Sequence, residues 1–271
     1  MTGIAFTYWE TVAPMARYSD FAGETVVVTG AGSGIGQATA IAFGEAGANV
    51  VVADIDRDAG TETASTVTDE TEGDGSFVEV DVTDDADVEK MVETATSEYG
   101  GLDVAFNNAG IPGTFSTTDE ISEDQWQAII DVNLSGVWRS MRKEIPVMLE
   151  HGGGAIVNTA SILGQVGEAA TPAYTAAKHG VVGLTKVAAL ERATDDIRVN
   201  AVCPGYIETQ MLDDAGVTTD EELRAETEAL HPMERLGTAD EIAGAVLWLA
   251  SDDASFATGE TLAIDGGYLS R

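Results

Sequence analysis

The segment Glu24-Thr25-Val26-Val27-Val28-Thr29 runs into Gly30, Gly32, Gly34 and Gly36 and then into Gln37-Ala38-Thr39-Ala40-Ile41-Ala42-Phe43; this stretch narrows the fold more than any other. A short unbroken β-branched run reads as a strand buried on both faces, the habit of parallel sheets. The glycines permit positive φ, let a ligand approach the backbone and leave the N–H groups of the helix start aimed at an anion. Apolar strand and helical segment then alternate along the chain, with strands expected near 25–29, 49–54, 76–80, 102–106, 154–159, 197–202 and 261–264. Helices are expected between them, one opened by the capping box Ser122-Glu123-Asp124-Gln125 and another by Thr238-Ala239-Asp240-Glu241. Over 271 residues no linker, repeat or composition break intervenes. The expectation is one doubly wound α/β domain with a central seven-stranded parallel sheet flanked by helices.

A second group of residues carries chemistry. Tyr174 and Lys178 are four apart, so a helix places both on one face. A cation beside a phenol favours the phenolate, and free tyrosine titrates near about 10, so the lysine together with a cationic cofactor ring is expected to draw Tyr174 towards working pH as a general acid/base. The pair alone also fits a surface tyrosine packed on a lysine stem. Its conjunction with Ser161, after the run Ile156-Val157-Asn158-Thr159-Ala160, and with the glycine loop favours the chemical reading. The glycines at Gly30, Gly34 and Gly36 give G-x-x-x-G-x-G and not the general G-x-G-x-x-G dinucleotide fingerprint, although the strand-turn-helix context is kept.

On Thr29-Gly30-x-x-x-Gly34-x-Gly36, Asn107-Asn108-Ala109-Gly110, Asn133 within Asp131-Val132-Asn133-Leu134, Ser161, Tyr174-x-x-x-Lys178 and Pro204-Gly205, the chain resembles the short-chain dehydrogenase/reductase family over roughly residues 23 to 267. The resemblance implies a Rossmann-type domain and hydride transfer between nicotinamide and an alcohol or ketone carbon. It implies a catalytic tetrad of Asn133, Ser161, Tyr174 and Lys178. Ser161 would bond the substrate oxygen, Tyr174 would exchange its proton, and Lys178 would hold the nicotinamide ribose. Asn133 would hold a water linking Lys178 to solvent. Cofactor-lining residues by the same resemblance are Gly30, Ser33, Gly34, Ile35, Gly36, Asp81, Val82, Asn107, Ala109, Gly110, Pro204, Gly205, Ile207 and Thr209, besides Tyr174 and Lys178.

Cofactor choice is legible at Asp54, which ends the run Val50-Val51-Val52-Ala53. A carboxylate there suits ribose hydroxyls. Against a 2′-phosphate it meets another anion, with a repulsion of roughly 4 kcal/mol per charge pair at 4 Å and an effective dielectric near 20. NAD is therefore expected ahead of NADP, while Arg57 leaves a route to phosphate binding.

Composition adds a second constraint. There are 47 acidic against 13 basic residues, a net charge of −34, and the only lysines are Lys90, Lys143, Lys178 and Lys186. The acids are spread over expected helix exteriors and loops, a pattern of adaptation to high salt, where a Debye length of roughly 3 Å at 1 M relieves self-repulsion. Nucleic acid and anionic membrane surfaces, which attract clustered Lys and Arg, are excluded as partners. A cytoplasmic setting in a halophile is expected.

Residues 1 to about 20 stand outside the resemblance and are read as an extension, with Met15 as the expected true start. Residues 21–271 form the expected domain, with a substrate lid at about 206–235. Cys203 reads as a small buried residue. His151, His179 and His231 lack metal spacing. The candidate substrate contacts are Leu163, Gln165, Glu168, Tyr206 and the lid. The lid holds nine acidic residues against Arg224 and Arg235, which points to a neutral alcohol, ketone, sugar or polyol as the small-molecule substrate. A carrier-protein reductase using NADPH and a non-catalytic nicotinamide sensor are the alternatives. A homotetramer built through the helices near 122–150 and 172–193 is expected.

Overall fold

The valine runs build the centre of the molecule. The computed structural model describes residues 21–270. Seven strands, β1 (Thr25–Thr29), β2 (Asn49–Asp54), β3 (Asp74–Glu79), β4 (Val104–Asn107), β5 (Gly154–Thr159), β6 (Ile197–Pro204) and β7 (Thr261–Ile264), form one sheet. Its order is β3-β2-β1-β4-β5-β6-β7 and every pairing is parallel. The α-helices are α1 (Gly34–Glu45), α2 (Arg57–Glu70), α3 (Asp85–Thr94), α4 (Glu123–Ile130), α5 (Val137–His151), α6 (Pro172–Arg192), α7 (Gln210–Asp214), α8 (Glu221–Ala229) and α9 (Ala239–Ala250).

Strand alternation sorts the apolar residues into two cores. Val26 and Val28 join Val50, Val52 and Phe106 on the face covered by α1, α2 and α9, through Phe43, Val67 and Ile242. Val27 joins Val51, Ala105 and Ile156 on the face covered by α3, α5 and α6, through Met91, Met141 and Val181. Both faces of β1 are thus inside, as the unbroken run implied.

Three boundaries differ from the sequence reading. β3 starts at Asp74, because the register Asn49↔Asp74 extends the pairing with β2 past the apolar residues. β4 starts at Val104, with Leu102 buried ahead of the first rung. β6 continues to Pro204, paired with Ile264; β5 ends opposite Val202, so no neighbouring strand calls on the N–H that proline lacks. Both capping boxes form. The long helix expected from 122 is not continuous: a π-helical turn, Asp131–Gly136, separates α4 from α5 and carries Asn133. Such insertions within helices recur at functional sites. The expected extension at 1–20, its start at Met15 and residue 271 lie outside the described residues.

The sheet positions the site through its order. From β1 the chain winds towards β3, and from β4 it winds the other way to β7, so the loops leaving β1 and β4 diverge. A crevice opens at that switch point, beyond the C-terminal ends of the strands.

Candidate active site

The crevice holds a cavity of about 460 Å³ whose wall runs from Asp54 and Asp81 past the glycine loop to Ser161, Tyr174 and the 206–215 segment.

At one end the wall is the start of α1. Helices α2, α3, α4, α8 and α9 each have an Asp, Ser or Thr side chain bonded to their first N–H groups. On α1 the N-cap Ser33 makes no such bond and no acid occupies the first turn, in a chain with 47 acids. The partial positive charge of that helix start faces the cavity through Ser33, Gly34 and Ile35. Gly30 has φ +64°, and a Cβ there would lie 2.8 Å from Ala109 Cα. Gly36 is not on the cavity wall; its place is structural, since a Cβ there would lie 2.0 Å from the Gly30 carbonyl oxygen. Gly36→Ala is expected to push loop and helix apart at a cost of about 1–3 kcal/mol, read as a lower melting temperature.

Asp54 is held in place at the wall. Its Oδ2 accepts from the Gly32 N–H at 2.7 Å and its Oδ1 from the Asp56 N–H at 2.8 Å. Arg57 forms an ion pair with Glu79. Asp81 and Val82 line the same end, and Asp81 Oδ1 accepts from the Thr83 N–H at 2.8 Å and from its hydroxyl at 2.7 Å.

The Asn pair divides otherwise than expected. Asn107 points away from the cavity into the protein, where its Nδ2 donates to Glu144 Oε2 at 3.0 Å and to Asn158 Oδ1 at 3.1 Å. Alternation gives the wall to Asn108, which sequence reasoning passed over; its Nδ2 donates to the carbonyls of Thr29 and Gly30, both at 3.2 Å, and ties β4 to the glycine loop. Ala109 and Gly110 continue the wall, as do Pro204, Gly205, Ile207 and Thr209.

The four residues of the implied tetrad all line one cavity. Tyr174 stands in the first turn of α6, whose start is set by Pro172 at a position where its missing N–H is harmless. Lys178 follows one turn later, 3% exposed, its Nζ 5.5 Å from the centroid of the Tyr174 ring and donating to the Thr159 carbonyl at 2.8 Å. Ser161 caps a short 3₁₀ turn, Ile162–Gly164, and its Oγ accepts from the Leu163 N–H at 3.1 Å. Asn133 clasps the backbone of Ile111: its Oδ1 accepts from the N–H at 2.9 Å and its Nδ2 donates to the carbonyl at 3.0 Å.

In the protein alone, without the cationic cofactor ring that the expectation includes, the Tyr174 pKa is not depressed. Burial pushes the phenol up to about 12, against the lowering bond with Ser161, and the nearby Glu168 charge adds to the rise. Burial also draws Lys178 down, to about 8. The lysine points to a carbonyl and not to the phenol, so its charge does little for the phenolate. Tyr174 keeps partial exposure to the cavity, and water there moderates the desolvation.

Around this centre the wall becomes apolar, with Phe115, Leu163, Met211 and Leu212. Gln165, expected as a substrate contact, is not on the cavity wall; its side chain lies towards β7, where its Nε2 donates to the Thr261 carbonyl at 3.4 Å. Glu168 and Tyr206 do face the cavity, joined by a bond from the Tyr206 hydroxyl to Glu168 Oε1 of 2.7 Å. Burial, with that bond, raises the Tyr206 pKa and keeps it a donor. Cys203 is fully buried and its thiol is pushed up by burial, as befits a packing residue.

A family model described as enoyl-(acyl carrier protein) reductase matches residues 30–269. The chain is 47% identical over 254 residues to cyclohexanol dehydrogenase of Acinetobacter sp. (strain SE19), covering 93% of this chain and 97% of that protein. It is 42% identical over 251 residues to 2,5-dichloro-2,5-cyclohexadiene-1,4-diol dehydrogenase of Sphingobium indicum, covering 92% and 98%. Among solved structures, carveol dehydrogenase of Mycobacterium avium in complex with NAD superposes with a TM-score of 0.87 at 31% identity, covering 92% of this chain and 99% of that one.

Proposed function

Because the chain belongs to the short-chain dehydrogenase/reductase family, we propose, beyond the oxidoreductase action on CH–OH groups that this membership carries, that it oxidises a neutral cyclic secondary alcohol to the ketone with NAD. The observation that supports this most directly is the meeting of Ser161, Tyr174 and Lys178 at an apolar-walled cavity that also runs past the uncapped start of α1.

The residues suit a dinucleotide. The α1 N–H groups and the glycine loop would hold the pyrophosphate, Asp54 the adenosine ribose, Asp81 and Val82 the adenine, and Lys178 the nicotinamide ribose. When bound, NAD supplies the carbon that accepts hydride. Ser161 Oγ fixes the substrate hydroxyl. Tyr174, as phenolate, removes the hydroxyl proton, and Lys178, drawn off the Thr159 carbonyl towards ribose and phenol, stabilises the charge that results. Asn133 holds the 111 loop against the site; relay of the proton through a water on the Asn133 side belongs to the same proposal.

NAD is preferred over NADP because Asp54 carries its charge at the ribose end while Glu79 occupies Arg57. Asp54→Ala is expected to lower the ratio of kcat/KM with NAD to that with NADP about thirtyfold, and adding Glu79→Gln, which releases Arg57, to lower it further.

Absorbance at 340 nm in concentrated salt tests the reading, with NAD and NADP offered separately against cyclic secondary alcohols, sugars and polyols. NADH formation with the cyclic alcohols is expected; silence with them, or activity confined to sugars, would overturn it. The matched family description keeps carrier-protein substrates in view, but a chain of charge −34 repels an acidic carrier, and the lid adds to that repulsion. Activity at high salt and assembly as a tetramer complete the proposal. The first is supported by the spread of exposed acids, the second by Trp126, Trp138, Val187 and Leu190 standing exposed on α4, α5 and α6. Light scattering that finds a monomer in 2 M salt would reject the tetramer.

A further inference from the structure

Three carboxylates line the cavity among the described residues: Asp54, Asp81 and Glu168. The first two belong to the adenosine end. Glu168 stands at the other end, near enough to Tyr174 for its charge to be felt by the phenol. A carboxylate among Phe115, Leu163, Met211 and Leu212 costs desolvation each time an apolar substrate closes over it, so it needs a donor from the substrate to offset that cost. Tyr206 supplies one donor, at 2.7 Å to Oε1, and thereby fixes the orientation of the carboxyl group. The Glu168 main-chain carbonyl accepts from the Thr171 hydroxyl at 3.0 Å, which secures the backbone beneath it. Ala170, two residues on, is held at φ +64° and its carbonyl accepts from the Ser116 N–H at 2.9 Å, so the turn that presents Glu168 is tied to the segment that carries Phe115. Among the described residues no group donates to Glu168 Oε2. A carboxylate has room for about four incoming hydrogen bonds and can donate none.

Resting on the reading of the chain as a cyclic-alcohol dehydrogenase, we propose that Glu168, braced by Tyr206, receives a second hydroxyl of the substrate, so that the enzyme selects diols over mono-alcohols and over hydroxy acids. The hydroxyl at Ser161 and Tyr174 is oxidised while the other donates to Glu168. A mono-alcohol leaves the carboxylate without its donor. A hydroxy acid brings a second anion beside it.

The test measures NADH formation by wild type, Glu168→Leu, Glu168→Gln and Tyr206→Phe with cyclohexanol, the 1,2-, 1,3- and 1,4-cyclohexanediols and 4-hydroxycyclohexanecarboxylate. At least one diol is expected to exceed cyclohexanol in kcat/KM by about tenfold or more in wild type, beyond the factor of two for its two hydroxyls. Glu168→Leu should bring that ratio close to one. Glu168→Gln, which keeps an acceptor and the shape but loses the charge, should retain part of the diol preference and raise the hydroxy acid relative to cyclohexanol. Tyr206→Phe should fall between. NAD affinity, followed by protein fluorescence, controls for folding of each variant. A wild type that turns over cyclohexanol as well as every diol, or a diol preference that survives Glu168→Leu, overturns the assignment and leaves the dehydrogenase reading standing. Turnover of no alcohol at all, with NAD still bound, overturns both.

Discussion

Tyr174→Phe is expected to lower kcat by about three orders of magnitude or more while changing NAD affinity by less than a few fold. The substitution removes one oxygen from a half-buried ring and leaves the packing of α6 alone. In the proposed mechanism it also removes the acid/base that meets the substrate hydroxyl. In the protein alone burial pushes that phenol up to about 12, so in the proposed mechanism it waits as a neutral acid until a cation comes beside it. Lys178, which now spends its charge on the Thr159 carbonyl at 2.8 Å, is the protein's own cation for that purpose. The measurement is the initial rate at 340 nm beside a titration of protein fluorescence with NAD. Equal loss of rate and of binding would place Tyr174 in the binding of the dinucleotide and not in proton transfer, and an unchanged rate would remove it from the mechanism.

The second large effect concerns stability. Glu144 on α5 is wholly buried, and burial raises its pKa to about 8 against the lowering bond from Asn107. Its Oε2 accepts from Asn107 Nδ2 at 3.0 Å, while Glu144 Oε1 and Asn107 Oδ1 are both buried without a partner. A neutral carboxylic acid with its proton on Oε1 facing Asn107 Oδ1 would satisfy both at once. The sign follows from linkage: the folded state keeps a proton that the unfolded chain has released, so stability falls as pH rises from about 4.5 to about 8 and then levels off. This is the reverse of a carboxylate in an ion pair. Glu144→Gln, permanently neutral and of the same shape, should lose that slope and exceed wild type at pH 9 by on the order of 3 kcal/mol, with little difference near pH 4.5. Urea unfolding at the two pH values checks it; parallel pH profiles for the two proteins would show that Glu144 is not the titrating group.

These two residues mark where sequence reading stopped. Tyr174, Lys178 and Ser161 were legible because their spacing fits helix geometry and strand ends, and the cavity contains all three. The strands were legible because valine runs fit only a sheet covered on both sides. Glu144 was not, since within Arg142-Lys143-Glu144 it reads as part of a solvated charged face, and only the packing of α5 on the sheet turns it inward. That Asn108 and not Asn107 lines the cavity was hidden for a related reason: adjacent residues at a strand end look to opposite sides, and composition does not say which side holds the cavity. The π-helical turn at Asp131–Gly136 leaves no mark in periodicity over so few residues. The state of the Tyr174 phenol depends on where the Lys178 ammonium points, a matter of side-chain geometry. Gln165 and Gly36 lie off the cavity wall, since a motif marks a neighbourhood and does not separate the residue that lines a cavity from the one that packs behind it.

The start of α1, left without an acidic cap, sets two salt responses against each other. Chloride at molar concentration screens the −34 charge and favours the compact chain, yet the same ion is drawn to a positive helix end that no carboxylate guards. On the proposed reading, the salt that stabilises the chain would also compete for the seat of the dinucleotide's phosphates, and the salt concentration of fastest turnover should lie below that of greatest thermal resistance.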